Sequence, residues 1–221
     1  MTETLSPDAT LDEIRVALAP LIAANAAFDG WSALAIETAA DQAGVDGDVA
    51  RLAFPGGAVD MIDAWFAHID ATMLAALPPE TLAEMKIRQR IAALVEARLS
   101  ALADDREALR RALALLALPI NAPRAARLAW RSADAIWRAA GDTATDYNHY
   151  TKRALLTAIY AATITVFLDD TSDDWADTRA FLARRIEGIM RFEKAKAGIV
   201  RRTENLPSLS RFIGRLRYPV V

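Results

Sequence analysis

Apolar side chains recur along most of the chain at the three-to-four-residue spacing of a buried helix face. Thr10 and Glu13 form a capping-box pattern ahead of Ile14, Leu18, Leu21 and Ile22, and this first helix should end near Phe28-Asp29-Gly30. Ser32 is placed to cap a second helix through Ala43, with Gly44 just past its end. A very short third helix, about Asp48 to Phe54, runs into Pro55-Gly56-Gly57, and a longer fourth carries Val59, Ile62, Phe66, Ile69 and Met73 on one face. Pro78-Pro79 closes it, because a proline inside a helix removes a donor and clashes with the preceding turn. Helices follow from Glu80 to Ala103, break at Asp104-Asp105 and continue to Leu118, with a turn at Pro119 to Pro123. The next helix covers Arg124 to Ala140 and stops at Gly141; Asp142 to Asn148 is a polar connector, and a further helix covers about His149 to Leu168. Thr171 with Asp174 predicts a second capping box for a helix from Asp173 to about Lys196. No segment alternates as a strand would, so the fold class is all-α, with about nine to ten helices.

Composition agrees. The 221 residues are 53% hydrophobic, with a mean hydropathy of +0.13, and the abundance of Ala and Leu over β-branched residues favours packed helices. The absence of cysteine excludes disulfides and thiolate chemistry. His68 and His149 are the only imidazoles and lie on unlike segments, so we expect no metal site, no cofactor and no catalytic triad. Carboxylates are plentiful but none is grouped with a base, and the chain does not read as an enzyme. The uncharged run Ala154 to Leu168 is shorter than the ~20 residues that span a bilayer and is bracketed by Lys152, Arg153, Asp169 and Asp170. The opening MTETLSPDATLDE is acidic, with neither an apolar core nor an arginine-rich presequence. The expectation is a cytoplasmic protein, peripheral on the inner (cytoplasmic) membrane.

Three short helices, the third the shortest, resemble the helix-turn-helix head of TetR-type regulators. The chain then divides into a degenerate head over 1–57, a helical ligand-binding and dimerising body over 58–198, and a hinge with a basic helix over 199–221. Charge argues against DNA as the head's partner. Residues 1–66 hold two arginines, Arg15 and Arg51, against eleven carboxylates, whereas duplex affinity comes chiefly from cations that neutralise phosphates. A transcriptional regulator with a small apolar ligand is therefore the alternative reading, not the first.

At the C-terminus the charge reverses. After Asn205-Leu-Pro207, Leu209, Phe212, Ile213 and Leu216 fall on one stripe, Arg211 and Arg215 project from the opposite side, and Arg217 sits on a flank. Such a helix suits an anionic membrane surface. Folding back on the body and contact with nucleic acid are the other options.

The stretch Trp137-Arg-Ala-Ala-Gly-Asp-Thr-Ala-Thr-Asp-Tyr-Asn-His-Tyr-Thr-Lys-Arg153, followed by Ile159-Tyr160, resembles the signature of the Coq-nine family of ubiquinone-synthesis accessory factors. Phe28-Asp29-Gly30-Trp31, Phe54-Pro55-Gly56-Gly57, Phe181-Leu182 and Arg185-Ile186 are similar to its other blocks. The resemblance implies a TetR-like homodimer without DNA binding. It also implies a body that binds isoprenoid lipids, a membrane-seeking C-terminal helix, and a surface patch for a quinone-ring hydroxylase, a di-iron enzyme where identified. Carried onto this chain, the patch comprises Ile136, Trp137, Asp142, Asn148, His149, Tyr150 and Arg153; His149 stands where the family has Trp. Gly141-Asp142 reads equally as a helix stop and N-cap, and Trp137 as core.

The function expected from all this is non-catalytic escort. An isoprenoid lipid or ubiquinone intermediate would lie among Ile91, Leu94, Leu99, Trp130, Ile136, Leu156, Ile159 and Tyr160, each of which could equally be plain core. Burying a prenyl chain is favourable at about 0.8 kcal/mol per CH₂. Removal of residues 206–221 is expected to leave a folded dimer that no longer sediments with anionic liposomes; unchanged sedimentation would refute the membrane role.

Overall fold

A computed structural model describes residues 6, 8–143 and 147–188, without the side chains of Tyr147 and Asn148. It divides into one unit up to Leu182 and a second from Ala183, of which the helical residues 183–188 are described. The elements in chain order are α1 (Leu11–Asp29), α2 (Ala33–Ala43), α3 (Gly47–Leu52), α4 (Ala58–Ala76), α5 (Pro79–Ala83), α6 (Ile87–Ser100), α7 (Arg106–Leu116), α8 (Ala122–Ala139) and α9 (Tyr147–Asp169). Residues 176–188 form α10, and 3₁₀ turns at Pro119–Asn121 and Asp173–Trp175 precede α8 and α10. Among the described residues there is no strand.

The local chemistry follows the sequence closely in the head. Thr10 caps α1 reciprocally: its N–H donates to Glu13 Oε2 at 2.8 Å and Glu13 N–H donates to Thr10 Oγ1 at 3.3 Å. Pro20 lies inside α1, where burial of Leu18, Ala19, Ile22 and Ala23 around it holds the helix together. Ser32 caps α2, and Gly44 ends it at φ 68, a left-handed conformation that glycine adopts without strain. Asp46 caps α3 through the Asp48 and Val49 N–H groups, so this helix starts and ends slightly earlier than expected.

Helix α4 is the column of the molecule, in contact with α1, α6, α7 and α8. Its predicted face, Val59, Ile62, Phe66, Ile69 and Met73, is buried. Trp65 stacks 5.3 Å from Trp31, whose indole N–H donates to Ala108 O at 3.0 Å and so ties the head to α7. Helices α8 and α9 pack together as a pair, with α6 against both. Within the 21 residues His149–Asp169, an 18-residue stretch of mean hydropathy 1.2 is long and apolar enough, by length and composition, to cross a bilayer. Its inner face, however, carries the charged Arg153 and packs into the body.

Three element boundaries differ from the sequence expectation. The stretch from Glu80 breaks at Glu84–Lys86, where Lys86 is extended and its N–H donates to Gln89 Oε1; a lysine N-cap gives no cue in sequence. Helix α8 begins at Ala122, because Pro123 sits in the first turn where its missing N–H has no partner to lose. The expected Thr171–Asp174 capping box does not form. Asp174 and Trp175 adopt φ of 53, and the cap is supplied by Asp170. One Asp170 oxygen accepts from Ser172 N–H (2.9 Å) and Oγ (2.5 Å), the other from Thr178 N–H (2.8 Å) and Oγ1 (2.5 Å). The anticipated end of this helix near Lys196 lies outside the described residues.

Burial alone would raise the Asp170 pKa, but the hydrogen bonds from Ser172 and Thr178 outweigh it and hold the carboxyl well below the usual carboxylate range. A folded-state pKa lowered in this way adds stability above the unfolded value of about 3.9, and that stability is lost as pH falls toward the folded value. Asp170→Asn gives up two acceptor positions and is expected to cost about 2 kcal/mol in urea unfolding at pH 7. The gap from wild type should narrow as pH drops below about 4.

Candidate functional site

The junction of α8 and α9 brings most of the predicted patch together around one buried cation. Arg153, 1% exposed, lies in the second turn of α9. Its Nε donates to Asp134 Oδ1 at 2.5 Å, and its Nη1 donates to Asp142 Oδ2 and to the His149 carbonyl, each at 3.1 Å. Asp142 also receives Lys152 Nζ at 2.6 Å, and Asp134 receives Arg138 Nε at 2.7 Å. Trp137 joins the same frame: its indole N–H donates to Lys152 O at 3.0 Å, and Lys152 Nζ lies 5.3 Å from its ring centre. Gly141 turns the chain at φ 90, letting Asp142 reach back under α9. A planar guanidinium met by two carboxylates is a strong, directional contact.

On top of this frame sits an aromatic surface. His149 and Tyr150 meet edge-to-face at 5.1 Å, and Trp130 of α8 lies 6.4 Å and 6.0 Å from their respective rings. Tyr150 is 62% exposed, and His149 and Trp130 are half-buried. The structure thus sorts the predicted patch by depth. Ile136 is core, Asp142 and Arg153 are buried support, Trp137 is half-buried, and the aromatics face outward. The Asn148 side chain lies outside the described residues.

The predicted lipid-lining residues separate as well. Ile91, Leu94, Leu99, Ile136, Leu156, Ile159 and Tyr160 are buried where α6, α8 and α9 meet. Trp130 instead joins His149 and Tyr150 at the surface. Within the interior the structure adds a residue that the sequence reading missed. Arg98, 1% exposed, pairs with Asp70 of α4 and donates from Nε to the Tyr160 hydroxyl at 2.7 Å. Its signal was available: Arg98 continues the stripe Ile91, Leu94, Val95 at helical spacing, a cation where the pattern calls for an apolar side chain.

Two other features bear on function. A pocket of about 60 Å³ between α4 and α8 is lined by Val59, Asp60, Asp63, Arg124, Arg127 and Leu128, none of them predicted lining. Among the described residues, no three His, Cys, Asp or Glu side chains gather as a metal site would require. The tail residues Leu209, Arg211, Phe212, Ile213, Arg215, Leu216 and Arg217 lie outside the described residues.

A family model described as COQ9 matches residues 122–193, which span α8, α9 and the whole of this cluster. The human protein named "Ubiquinone biosynthesis protein COQ9, mitochondrial" is 33% identical over 168 residues, 73% of this chain and 52% of its own length. The protein of that name from Schizosaccharomyces pombe is 28% identical over 140 residues, 63% of this chain and 56% of its own. The chain spans about half the length of the curated relatives it matches. Among solved structures, a TetR transcriptional regulator from Nitrosomonas europaea superposes with a TM-score of 0.64 at 26% identity, covering 79% of this chain and 96% of that one. The all-helical, TetR-like architecture is thereby established; that likeness speaks for the fold alone. The relatives are named as mitochondrial proteins, which overturns the cytoplasmic placement drawn from the acidic first residues.

Arg153→Met leaves Asp134 and Asp142 without their central cation and is expected to cost about 3–5 kcal/mol in chemical unfolding. Arg153→Lys keeps the charge without the fork and should recover part of that loss.

Proposed function

Because this chain belongs to the COQ9 family, we propose that it is a non-catalytic accessory protein of ubiquinone biosynthesis that takes up an isoprenoid quinone intermediate and presents it to a quinone-ring hydroxylase. One observation carries the docking half of this reading. Within the segment that matches the family model, the exposed Tyr150 and the half-buried His149 and Trp130 sit over a buried, multiply bonded arginine. A monomer gains little by holding Tyr150 in water, whereas aromatic anchors on a rigid base are what interfaces use as hot spots. His149, where the family has Trp, offers a smaller apolar face, so this chain should favour a partner shaped to it.

The lipid half draws on the apolar junction of α6, α8 and α9, whose Leu94, Leu99, Leu156 and Ile159 could part around a prenyl chain. The homodimer draws on the outer face of α9, where Ala154, Ala158, Ala161 and Thr165 are exposed and uncharged over three turns. Membrane attachment rests on the amphipathic sequence of the tail alone.

The TetR-like fold favours a second reading, a transcriptional regulator. The head's charge opposes it. Arg51, the one cation of α3, is engaged by Glu37 at 2.6 Å and by Asp48, and Asp46 is consumed as the helix cap. That leaves α3 no uncommitted cation for a phosphate.

Titration against a purified quinone-ring hydroxylase of the pathway tests the docking surface. Tyr150→Ala and Trp130→Ala should each weaken binding roughly 30-fold, the size of a 2 kcal/mol hot spot. Asp41→Ala, at an exposed position of α2, should leave it unchanged. Equal affinities for all three variants would remove the surface from the account.

A further inference from the structure

The interior contains a hydrogen-bond donor that the fold does not use. Tyr160 of α9 is 8% exposed, and its oxygen accepts from Arg98 Nε at 2.7 Å. Among the described residues no acceptor receives its O–H. The oxygen thus has one partner, as buried polar atoms ordinarily do, and its O–H remains available to an acceptor. Burial raises the phenol pKa against the opposing influence of Arg98, so at neutral pH the proton stays on the oxygen.

The charges around it are already matched. Arg98 pairs with Asp70, and Arg131 pairs with Asp63 and lies 3.6 Å from the other Asp70 oxygen. The Arg98 guanidinium also lies 5.3 Å from the Tyr160 ring centre and 5.8 Å from that of Phe66, which fixes the phenol in place. An anionic head group, a phosphate or carboxylate, would meet arginines that already face Asp70 and Asp63, with Arg131 Nε alone beside a carboxylate it does not hydrogen-bond. A neutral oxygen acceptor would find a positioned O–H. One turn before Tyr160 and one turn before Arg98 on the same faces stand Leu156 and Leu94, both buried and apolar.

We infer that Tyr160, held by Arg98, is the head-group site of the interior and donates its hydroxyl proton to a ring oxygen of an isoprenoid quinone or phenol. The inference rests on the lipid half of the proposed function and adds what that half lacks: a residue that distinguishes a quinone from any other greasy chain. An acceptor-specific site discriminates because the analogue without the oxygen leaves the buried donor unpaired.

The test uses the full chain and two probes, ubiquinone with three isoprene units and farnesene, the hydrocarbon of matching length without a ring. Wild type should bind the quinone more tightly than farnesene. Tyr160→Phe should weaken quinone binding about tenfold and leave farnesene binding unchanged. Equal quinone affinity in wild type and variant overturns the head-group site while leaving lipid binding intact, and so does an equal loss for both probes. Failure of wild type to bind either probe overturns the lipid reading and this site with it. Should the variant not fold, infrared difference spectra of carbonyl-labelled ubiquinone on wild type decide the matter. One carbonyl band shifted to lower wavenumber supports the bond; both bands at their free positions overturn it.

Discussion

A guanidinium taken out of water must be met by carboxylates already in place, because an unpaired buried charge costs several kcal/mol. This requirement fixes how the body helices of the protein lie against one another. Arg98 of α6 reaches Asp70 of α4, and Arg153 of α9 reaches Asp134 of α8 and Asp142 beyond it. Both arginines are almost fully enclosed. Each therefore specifies a position and a rotation for its helix that the surrounding alanines could not. Surfaces rich in Ala are smooth and tolerate small slips, whereas a planar fork bonded to two carboxylates does not.

The two arginines divide the labour of the body. Arg153 is anchored from the helix side and the loop side at once, and its bond to the His149 carbonyl runs straight into the backbone that carries the exposed aromatics. The rigidity of that surface is thus inherited from a contact beneath it. Arg98 works inward: paired on one side with Asp70, it presents and orients the Tyr160 phenol on the other. Along α4, Asp60, Asp63 and Asp70 hold Arg124, Arg131 and Arg98 in turn, and Arg15 lies 3.8 Å from Asp63. Three of the carboxylates in the first third of the chain, Asp60, Asp63 and Asp70, thus serve arginines from later helices.

That division explains what could be read from the residues. Periodicity and caps located α1 to α4 nearly to the residue, because Thr10, Ser32 and Gly44 are local signals whose partners lie within four positions. The α9–α10 turn departs from expectation for the complementary reason. Thr171 and Asp174 have capping-box spacing, but Asp170 outcompetes them with four donors converging on one carboxylate. The stripe position of Arg98 marks a cation on an apolar face, but its partners, Asp70 and Tyr160, lie 28 and 62 positions away in sequence and no local pattern names them. The sequence places Trp130 among the lining residues, whereas the α8–α9 packing brings it against His149 and Tyr150. Depth within the patch was equally illegible: a motif gives the order of Ile136, Asp142, Tyr150 and Arg153, not which of them face water.

The fold and the site then point in different directions, and the charges decide between them. A TetR-like head is built to lay a short helix against phosphates, yet the arginine of α3 is neutralised by carboxylates on α2 and on α3 itself. Converting such a face to duplex binding would require new cations as well as release of Arg51. The α8–α9 surface faces no such obstacle, since its charges are settled underneath and its aromatics are left to the solvent. A head whose α3 cation is already neutralised, and a body that carries an aromatic surface over paired charges, favour the proposed protein contact over one with nucleic acid.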